Sequence, residues 1–296
     1  MIAVDWGTSS LRAYRVSKQE EVVERREAPL GIMQVDDGDF ARALESQIGD
    51  WLSAGETPIV MSGMIGSRQG WCEAPYVPTP AGLADISTAM VRVAWKRYAA
   101  WIAPGVSTRS PTGIADVMRG EETQLLGVID ALPTDPCWVC MPGTHSKWVR
   151  VAGGTIETFR THMTGEVFAL LKRHSILGRM MEEAPLDSQW FASGLSRAQE
   201  FGGLLHHLFG VRALGLFGEL PGSCSSSYLS GILIGHELAS LLSDVKTVYV
   251  LGASELSALY TKALEQRGHR AIVLDPDAAL RGLVKLADRL GDRSRC

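Results

Sequence analysis

Two short segments carry the residue types that phosphate chemistry needs. Gly7-Thr8-Ser9-Ser10 and Gly143-Thr144-His145-Ser146 share the pattern Gly-Thr-x-Ser, and each leads into a β-type run closing on Arg-Val (Arg15-Val16 and Arg150-Val151). Glycine lets the backbone approach an anion closely, and N–H groups with small hydroxyls add donors without bulk. One such turn is a common turn composition. Two of them, one early and one near mid-chain, are the layout of a duplicated two-lobed protein able to hold a polyphosphate from two sides. Gly7, Thr8, Ser9, Ser10, Gly143, Thr144 and Ser146 are therefore candidate phosphate ligands, and Lys147 either reaches a phosphate or points to solvent. Asp5 either caps the first turn or holds Mg²⁺ directly or through water. After the apolar run ending at Leu251, Gly252-Ala253-Ser254 either lets a base or ribose lie against the backbone or is an ordinary strand-to-helix turn. No G-x-x-x-x-G-K-[ST] is present, which excludes a P-loop NTPase.

Positioning these residues requires strands and helices in alternation. Ile2–Asp5 and Leu11–Val16 read as a hairpin, and Pro58–Met61 as a further strand. Apolar residues at helical spacing predict a helix within Gly38–Ser53, and others over Asp116–Ile129, Met163–Met181, Ser193–Leu208, Ser226–Leu242 and Asp277–Leu290. Thr247–Leu251 and Ala271–Leu274 are short runs of the kind buried in parallel sheets. The stretch from Ser62 to Pro80 is rich in Gly and Pro and reads as a long loop, a segment type that is disproportionately functional. The sum is an α/β protein.

Composition sets the outer limits. The 296 residues are 46% hydrophobic and 21% charged, with 29 basic against 33 acidic side chains and a net charge of −4. The chain is long enough for two domains, and without a basic cluster it does not read as a nucleic-acid binder. The opening MIAVDWGTSS reads as a strand and not as a signal peptide, and no apolar run approaches the roughly 18 residues of a membrane span. Five cysteines fit a reducing cytosol better than a disulfide framework, so a cytoplasmic protein is expected. Several near-motifs are set aside. Cys137-x-x-Cys140 lacks a second pair, His236-Glu237 lacks the second histidine of a zinc protease, and adjacent His206 and His207 cannot share a metal.

The order of the three Gly-rich elements resembles the phosphate-1, phosphate-2 and adenosine motifs of the actin/hexokinase/Hsp70 ATPase superfamily. The blocks SGMIGSRQGW, YVPTPAG, DVMRGEETQLLG, MPGTHSKWV, THMTGE and VYVLGASE resemble the 2-dehydro-3-deoxygalactonokinase family over nearly the whole chain. The resemblance implies an actin-like, ribonuclease H-like α/β fold of two lobes with a central cleft that closes on the sugar. It places lobe one at residues 1–113, rejoined by 276–296, and lobe two at 114–275. It also implies ATP-dependent phosphorylation, with Mg²⁺, of the 6-hydroxyl of 2-dehydro-3-deoxy-D-galactonate; a homodimer is the superfamily-level expectation. A kinase of another sugar or sugar acid, such as the gluconate epimer, and a non-catalytic nucleotide or sugar sensor are the competing readings.

Phosphoryl transfer is mainly positioning and charge neutralisation, so a carboxylate is also needed at the attacking hydroxyl. Asp116, ahead of Arg119-Gly120-Glu121-Glu122, matches where related sugar kinases carry their catalytic Asp, although an aspartate before a helix is also a common N-cap. Asp85 is the runner-up. Arg68 on the Gly-rich loop, with Gln69 and Trp71, is the candidate for the sugar-acid carboxylate, since its planar fork suits two-point contact. Thr79, Arg160, Thr164 and Glu166 are further substrate candidates.

Overall fold

The computed structural model describes residues 1–53, 58–239, 245–275 and 277–293. The chain forms two compact units, one made of 1–136, 150–159 and 275–296, the other of 137–149 and 160–274. Residues 114–136, expected in lobe two, group with the first unit, as do 275–296.

In the first unit, β1 (Ile2–Trp6), β2 (Leu11–Val16), β3 (Val22–Ala28) and β4 (Ile59–Ser62) share a six-stranded sheet with β6 (Val91–Trp95) and β7 (Tyr98–Ile102), ordered β3-β2-β1-β4-β7-β6. The β1–β2 hairpin is antiparallel, with Asp5 opposite Arg12, while β4 runs parallel to β1 and sets Ser62 beside Asp5. Helix α1 (Phe40–Ser53) buries Phe40, Leu44, Ile48, Trp51 and Leu52 against this sheet, the face its spacing predicts. The expected loop 62–80 contains a 3₁₀ turn at Met64–Gly66 and a short strand, β5 (Tyr76–Pro78). β5 forms a small sheet with β8 (Gly105–Arg109) and β9 (Ala115–Met118), ordered β5-β8-β9. Helix α2 (Leu83–Thr88) precedes β6. Helix α3 (Glu121–Val128) crosses α9 (Ala278–Arg293) at backbone contact: a Cβ on Gly127 would stand 1.9 Å from the Ala278 carbonyl, and one on Gly282 1.8 Å from that of Thr123.

The five-stranded sheet is ordered β12-β11-β10-β13-β14, from β10 (Cys137–Met141), β11 (Ser146–Ala152), β12 (Thr155–His162), β13 (Thr247–Val250) and β14 (Arg270–Val273). The second unit adds α4 (Thr164–His174), α5 (Ser188–Arg197), α6 (Gly203–Leu216), α7 (Gly222–Leu238) and α8 (Ser254–Gln266). α5 and α7 meet through Gly194 and Gly231, where an added Cβ would come within 2.2 Å of a facing carbonyl. Buried Cys140, Trp148, Phe191, Leu195, Val248 and Leu264 form the core beneath them.

Three helix expectations change. The helix expected from Asp116 begins at Glu121: residues 115–118 pair as a strand with β8, and Gly120, at φ 104°, turns the chain before the helix starts. The helix expected over Ser193–Leu208 is two helices, parted at Gly202 and Gly203, both with left-handed φ. The Met163–Met181 helix ends at His174. The last expected residues of Ser226–Leu242, from 240 on, lie outside the described residues. No helix among the described residues is long and apolar enough to cross a membrane.

Candidate active site

The first Gly-Thr-x-Ser turn is closed by the Gly7 N–H donating to the Ser10 carbonyl at 2.9 Å, and the 3₁₀ segment at 32–34 buttresses it, since the Ile32 N–H donates to the Gly7 carbonyl at 3.0 Å. Thr8 and Ser9 are left exposed at its tip. Asp5 lies just inside, its side chain 13% exposed and 3.3 Å from the Arg12 guanidinium. Burial pushes its carboxyl up, and Arg12 pulls it back. The Ser62 hydroxyl, on the neighbouring strand at the same register, is buried with no hydrogen-bond partner among the described residues. A desolvated carboxylate beside an unpartnered hydroxyl is a hard oxygen donor set that fits Mg²⁺, which binds through one or two carboxylates and keeps its waters. Sequence reasoning missed Arg12; its signal was its position opposite Asp5 in the hairpin.

Asp116 lies on β9 directly opposite Thr108 on β8. Residues opposite in an antiparallel pair share one face. The Thr79 hydroxyl donates to the Thr108 hydroxyl at 2.9 Å, and Thr158 Oγ1 lies 3.3 Å from the same atom. Asp116 and Thr79 thus belong to one hydroxyl-lined patch of the first unit. Asp116 is not an N-cap: its Oδ1 accepts the Val117 N–H at 2.8 Å, and Gly120 occupies the cap of α3. Asp85 is the third residue of α2, where its carboxylate accepts the Gly82 N–H at 2.9 Å and closes the helix start.

Arg68 is 88% exposed and paired with Glu73 at 3.0 Å. Gln69 is exposed too, whereas Trp71 packs edge-on against Trp95 at 5.4 Å and so contributes to the core. Arg119, which the sequence reading passed over, ties this loop down: its Nη2 donates to the Ala74 carbonyl at 2.7 Å and its guanidinium lies 4.3 Å from the Tyr76 ring centroid. Glu122 is fully buried, accepting from the Gly120 N–H at 2.7 Å and the Thr123 hydroxyl at 2.9 Å. Burial, then the neighbouring Glu121, push its carboxyl up to about 7. A folded pKa above the unfolded one favours folding while the group is protonated, and that stability is lost as pH rises through about 7. Glu122→Gln should therefore flatten the fall of Tm between about pH 4.5 and pH 7, read by thermal melts across that window; an unchanged slope would refute it.

In the second unit the matching turn is held by α4. The Glu166 N–H donates to the Thr144 carbonyl at 3.0 Å, the Glu166 carboxylate pairs with His145, and a Cβ on Gly165 would stand 2.5 Å from the Gly143 carbonyl. The first turn of this helix therefore lies directly against the Gly-Thr turn, with its N-terminal partial positive charge. Thr164 and Glu166, sought as sugar ligands, are part of this buttress. Ser146 and Lys147 are buried: the Ser146 hydroxyl lies 2.9 Å from that of Tyr260, and Lys147 Nζ donates to Thr161 at 2.9 Å, so neither points to solvent. Arg160 is exposed on β12.

Beside the turn is a cavity of about 270 Å³, near the low end of ligand sites at roughly 300–1,000 Å³. Its walls are largely apolar (Phe168, Leu186, Leu233, Ile234, Leu256, Leu259), with Ser226 and Ser230 hydroxyls and the Gly143, Thr164 and Gly165 edge at its polar side. Leu256 and Leu259 come from α8, the helix that starts after Gly252-Ala253 at Ser254. Gly252 itself backs onto Pro142 of the turn, a Cβ there lying 3.2 Å from the Pro142 carbonyl. A flat apolar group next to N–H donors and hydroxyls is what this pocket can take. Beneath it, Glu237 is 3% exposed and accepts from Trp148 Nε1 at 2.7 Å, the Tyr260 hydroxyl at 2.7 Å and the Thr164 hydroxyl. Burial and Glu237 push the Tyr260 phenol up, keeping it a donor. Cys137 and Cys140 are buried free thiols, and no group of three or more His, Cys, Asp or Glu that could hold a metal is found among the described residues.

Two Gly-Thr-x-Ser hairpins on separate sheets belong to an α/β chain of the actin-like ATPase fold. The chain belongs to the 2-keto-3-deoxy-galactonokinase family, whose model matches residues 5–286, and it is thus a sugar-acid kinase. It is 38% identical to "Probable 2-dehydro-3-deoxygalactonokinase DgoK1" of Rhizobium meliloti (strain 1021), covering 97% of this chain and 96% of that protein. It is 36% identical to the 2-dehydro-3-deoxygalactonokinase of Escherichia coli (strain K12), covering 96% of each. A solved chain from Sinorhizobium meliloti bearing the same activity name superposes with a TM-score of 0.92 at 36% identity over 98% of both chains.

Proposed function

We propose that this chain transfers the γ-phosphoryl group of ATP to the 6-hydroxyl of 2-dehydro-3-deoxy-D-galactonate. The observation that carries the nucleotide half is the apolar cavity ending on the Gly143-Thr144 turn and the first residues of α4, a base-sized pocket beside phosphate donors. Thr144, the turn N–H groups and the start of α4 bind phosphate oxygens in the second unit, while Gly7–Ser10 and Arg12 do so in the first. Gly252, Ala253 and Ser254, at the start of α8, flank the nucleoside. Asp5, with Ser62 beside it, holds Mg²⁺, which when bound neutralises the phosphate charge that builds up during transfer.

Asp116 orients the 6-hydroxyl and accepts its proton as the oxygen bonds to the γ-phosphorus and the bond to ADP breaks. Its carboxylate needs no raised pKa, because the proton moves late in a loose transition state. The hydroxyls of Thr79 and Thr108, on the same patch, orient the sugar. Arg68, held by Glu73 yet 88% exposed, is free to swing onto the substrate carboxylate, with Gln69 beside it. A cytoplasmic site of action follows from the need for ATP and suits the free thiols.

A coupled ADP-release assay tests the reading with four conditions: 2-dehydro-3-deoxygalactonate, its gluconate epimer, galactose, and no acceptor. The galactonate is expected to give the highest kcat/KM, and galactose, lacking a carboxylate, to stay near the blank. Release that no acceptor raises above the blank would favour a sensor. Galactose turning over as well as the galactonate would favour a neutral-sugar kinase.

A further inference from the structure

The Gly-rich loop ahead of β5 has a neck and a tip. At the neck, the Trp71 N–H donates to the Ile65 carbonyl and the Ala74 N–H to the Gly66 carbonyl, both at 2.9 Å. Arg68 and Gln69 stand out from it, exposed. Arg119, the residue after β9, holds both sides of the neck. Its Nη2 donates to the Ala74 carbonyl at 2.7 Å, and its Nη1 lies so close to Gly66 that an added Cβ there would stand 2.9 Å from it. The guanidinium also covers the Tyr76 ring, 4.3 Å from its centroid. That ring lies across Gly105 on the neighbouring strand, where a Cβ would come within 2.6 Å of it. The clamp is thus seated on one end of the β5-β8-β9 sheet, and Asp116 precedes it by three residues on β9.

Fold stability alone does not account for Arg119. Its Nε and Nη1 are buried with no hydrogen-bond partner among the described residues. Unpaired buried donors cost free energy, and packed apolar side chains of similar volume are often as stable as a buried charge or more so. What an apolar side chain cannot do is join Gly66, Ala74 and Tyr76 through one rigid plane that both donates and stacks.

We propose that Arg119 is a positioning residue that fixes the Arg68 loop relative to Asp116 and so sets the length of sugar acid the enzyme accepts. The inference rests on the proposed roles of Arg68 at the substrate carboxylate and Asp116 at its terminal hydroxyl. A two-point grip on a carboxylate has a narrow geometry, and misplacing a reacting atom by about 1 Å costs on the order of 10²-fold in rate. With the neck locked to the strand of the base, an acid one carbon shorter, gripped at its carboxylate, holds its terminal hydroxyl short of Asp116. With the neck free, the tip follows the substrate and length is no longer read.

The test compares 2-dehydro-3-deoxygalactonate with a 2-dehydro-3-deoxy acid one carbon shorter, in wild type, Arg119→Met and Arg119→Lys. Wild type is expected to favour the longer acid by about 10²-fold in kcat/KM. Arg119→Met should lose most of its activity on the longer acid and much less on the shorter, so that the preference falls below about tenfold. The KM for ATP and the Tm should stay near wild type. Arg119→Lys keeps the charge and the stem but not the plane, so it should lose the preference as the methionine variant does, with less risk to folding. A wild type that takes both lengths equally well, variants that lose activity on both acids in the same proportion, or a lysine variant with the wild-type preference would each overturn the clamp and leave the acceptor reading standing. A wild type that phosphorylates neither acid would remove that reading, and the clamp with it.

Discussion

Asp116→Asn is expected to lower kcat by about 10²–10⁴-fold, the usual contribution of a positioned acid or base, while moving the Kd for ATP less than a few-fold. The substitution is nearly isosteric, and its amide oxygen can still accept the Val117 N–H that Asp116 Oδ1 accepts at 2.8 Å. Strand β9 therefore keeps its pairing with β8, and Tm should stay within a degree or two of wild type. What disappears is the only part of the side chain that can take a proton from the 6-hydroxyl. Steady-state ADP release together with a fluorescence titration of ATP separates the two effects. Turnover retained within about threefold would remove Asp116 from the base role, since general-base losses are far larger than that. Asp85 would be a poor replacement: its carboxylate is committed to the Gly82 N–H at the head of α2, and Asp85→Asn should cost chiefly helix stability.

The Asp116 case also shows what one sequence can and cannot say. Four residues ahead of a helix, with Val117 and Met118 between, read equally well as the first helical turn or as a short strand, because a run of that length does not separate periods of 2 and 3.6. The deciding contact is the pairing with Gly105–Arg109, which no local pattern announces. The two Gly-Thr-x-Ser hairpins are legible for the opposite reason. Gly, Thr and Ser at fixed offsets between β-type runs make a local motif, and the hairpins form where it occurs. Within those turns, however, the sequence offers Ser146 as a phosphate ligand and Lys147 as a group that either reaches a phosphate or points to solvent. They are the first residues of β11, buried against Tyr260 and Thr161, and partners 114 and 14 residues away are invisible to a turn motif. Arg119 and Arg12 escaped notice because a lone arginine reads as solvated; their meaning lies in the Ala74 carbonyl and the Asp5 carboxylate that the fold brings to them. Glu237 was dismissed with the incomplete zinc motif. The signal available was a single acidic residue in the run Gly231–Leu238, apolar but for it and His236, and such a carboxylate must find buried donors or be expelled.

That residue supports the second large effect. Glu237→Leu takes the acceptor from the buried Trp148 indole N–H, from the buried Tyr260 hydroxyl, which keeps Ser146 at 2.9 Å, and from the half-buried Thr164 hydroxyl. Each unsatisfied donor costs about 1–3 kcal/mol, partly offset by the removal of a buried carboxylate, so a net loss of roughly 3–5 kcal/mol is expected. The functional consequence is sharper than the loss of stability alone. Thr164 is the first residue of α4, and Gly165 and Glu166 behind it clasp the Gly143-Thr144 turn, while Tyr260 lines the adjacent cavity. Losing the carboxylate loosens both walls of the proposed nucleotide pocket at once, so the KM for ATP should rise at least tenfold at temperatures where the variant remains folded, with the KM for the sugar acid little changed. Glu237→Gln keeps one acceptor oxygen of the same reach and should recover most of the ATP affinity, though its NH₂ must face a donor and some stability stays lost. Chemical denaturation and substrate kinetics on both variants make the comparison. Equal KM values for ATP in wild type, Glu237→Gln and Glu237→Leu would mean that the buried carboxylate stabilises the second unit without shaping its pocket.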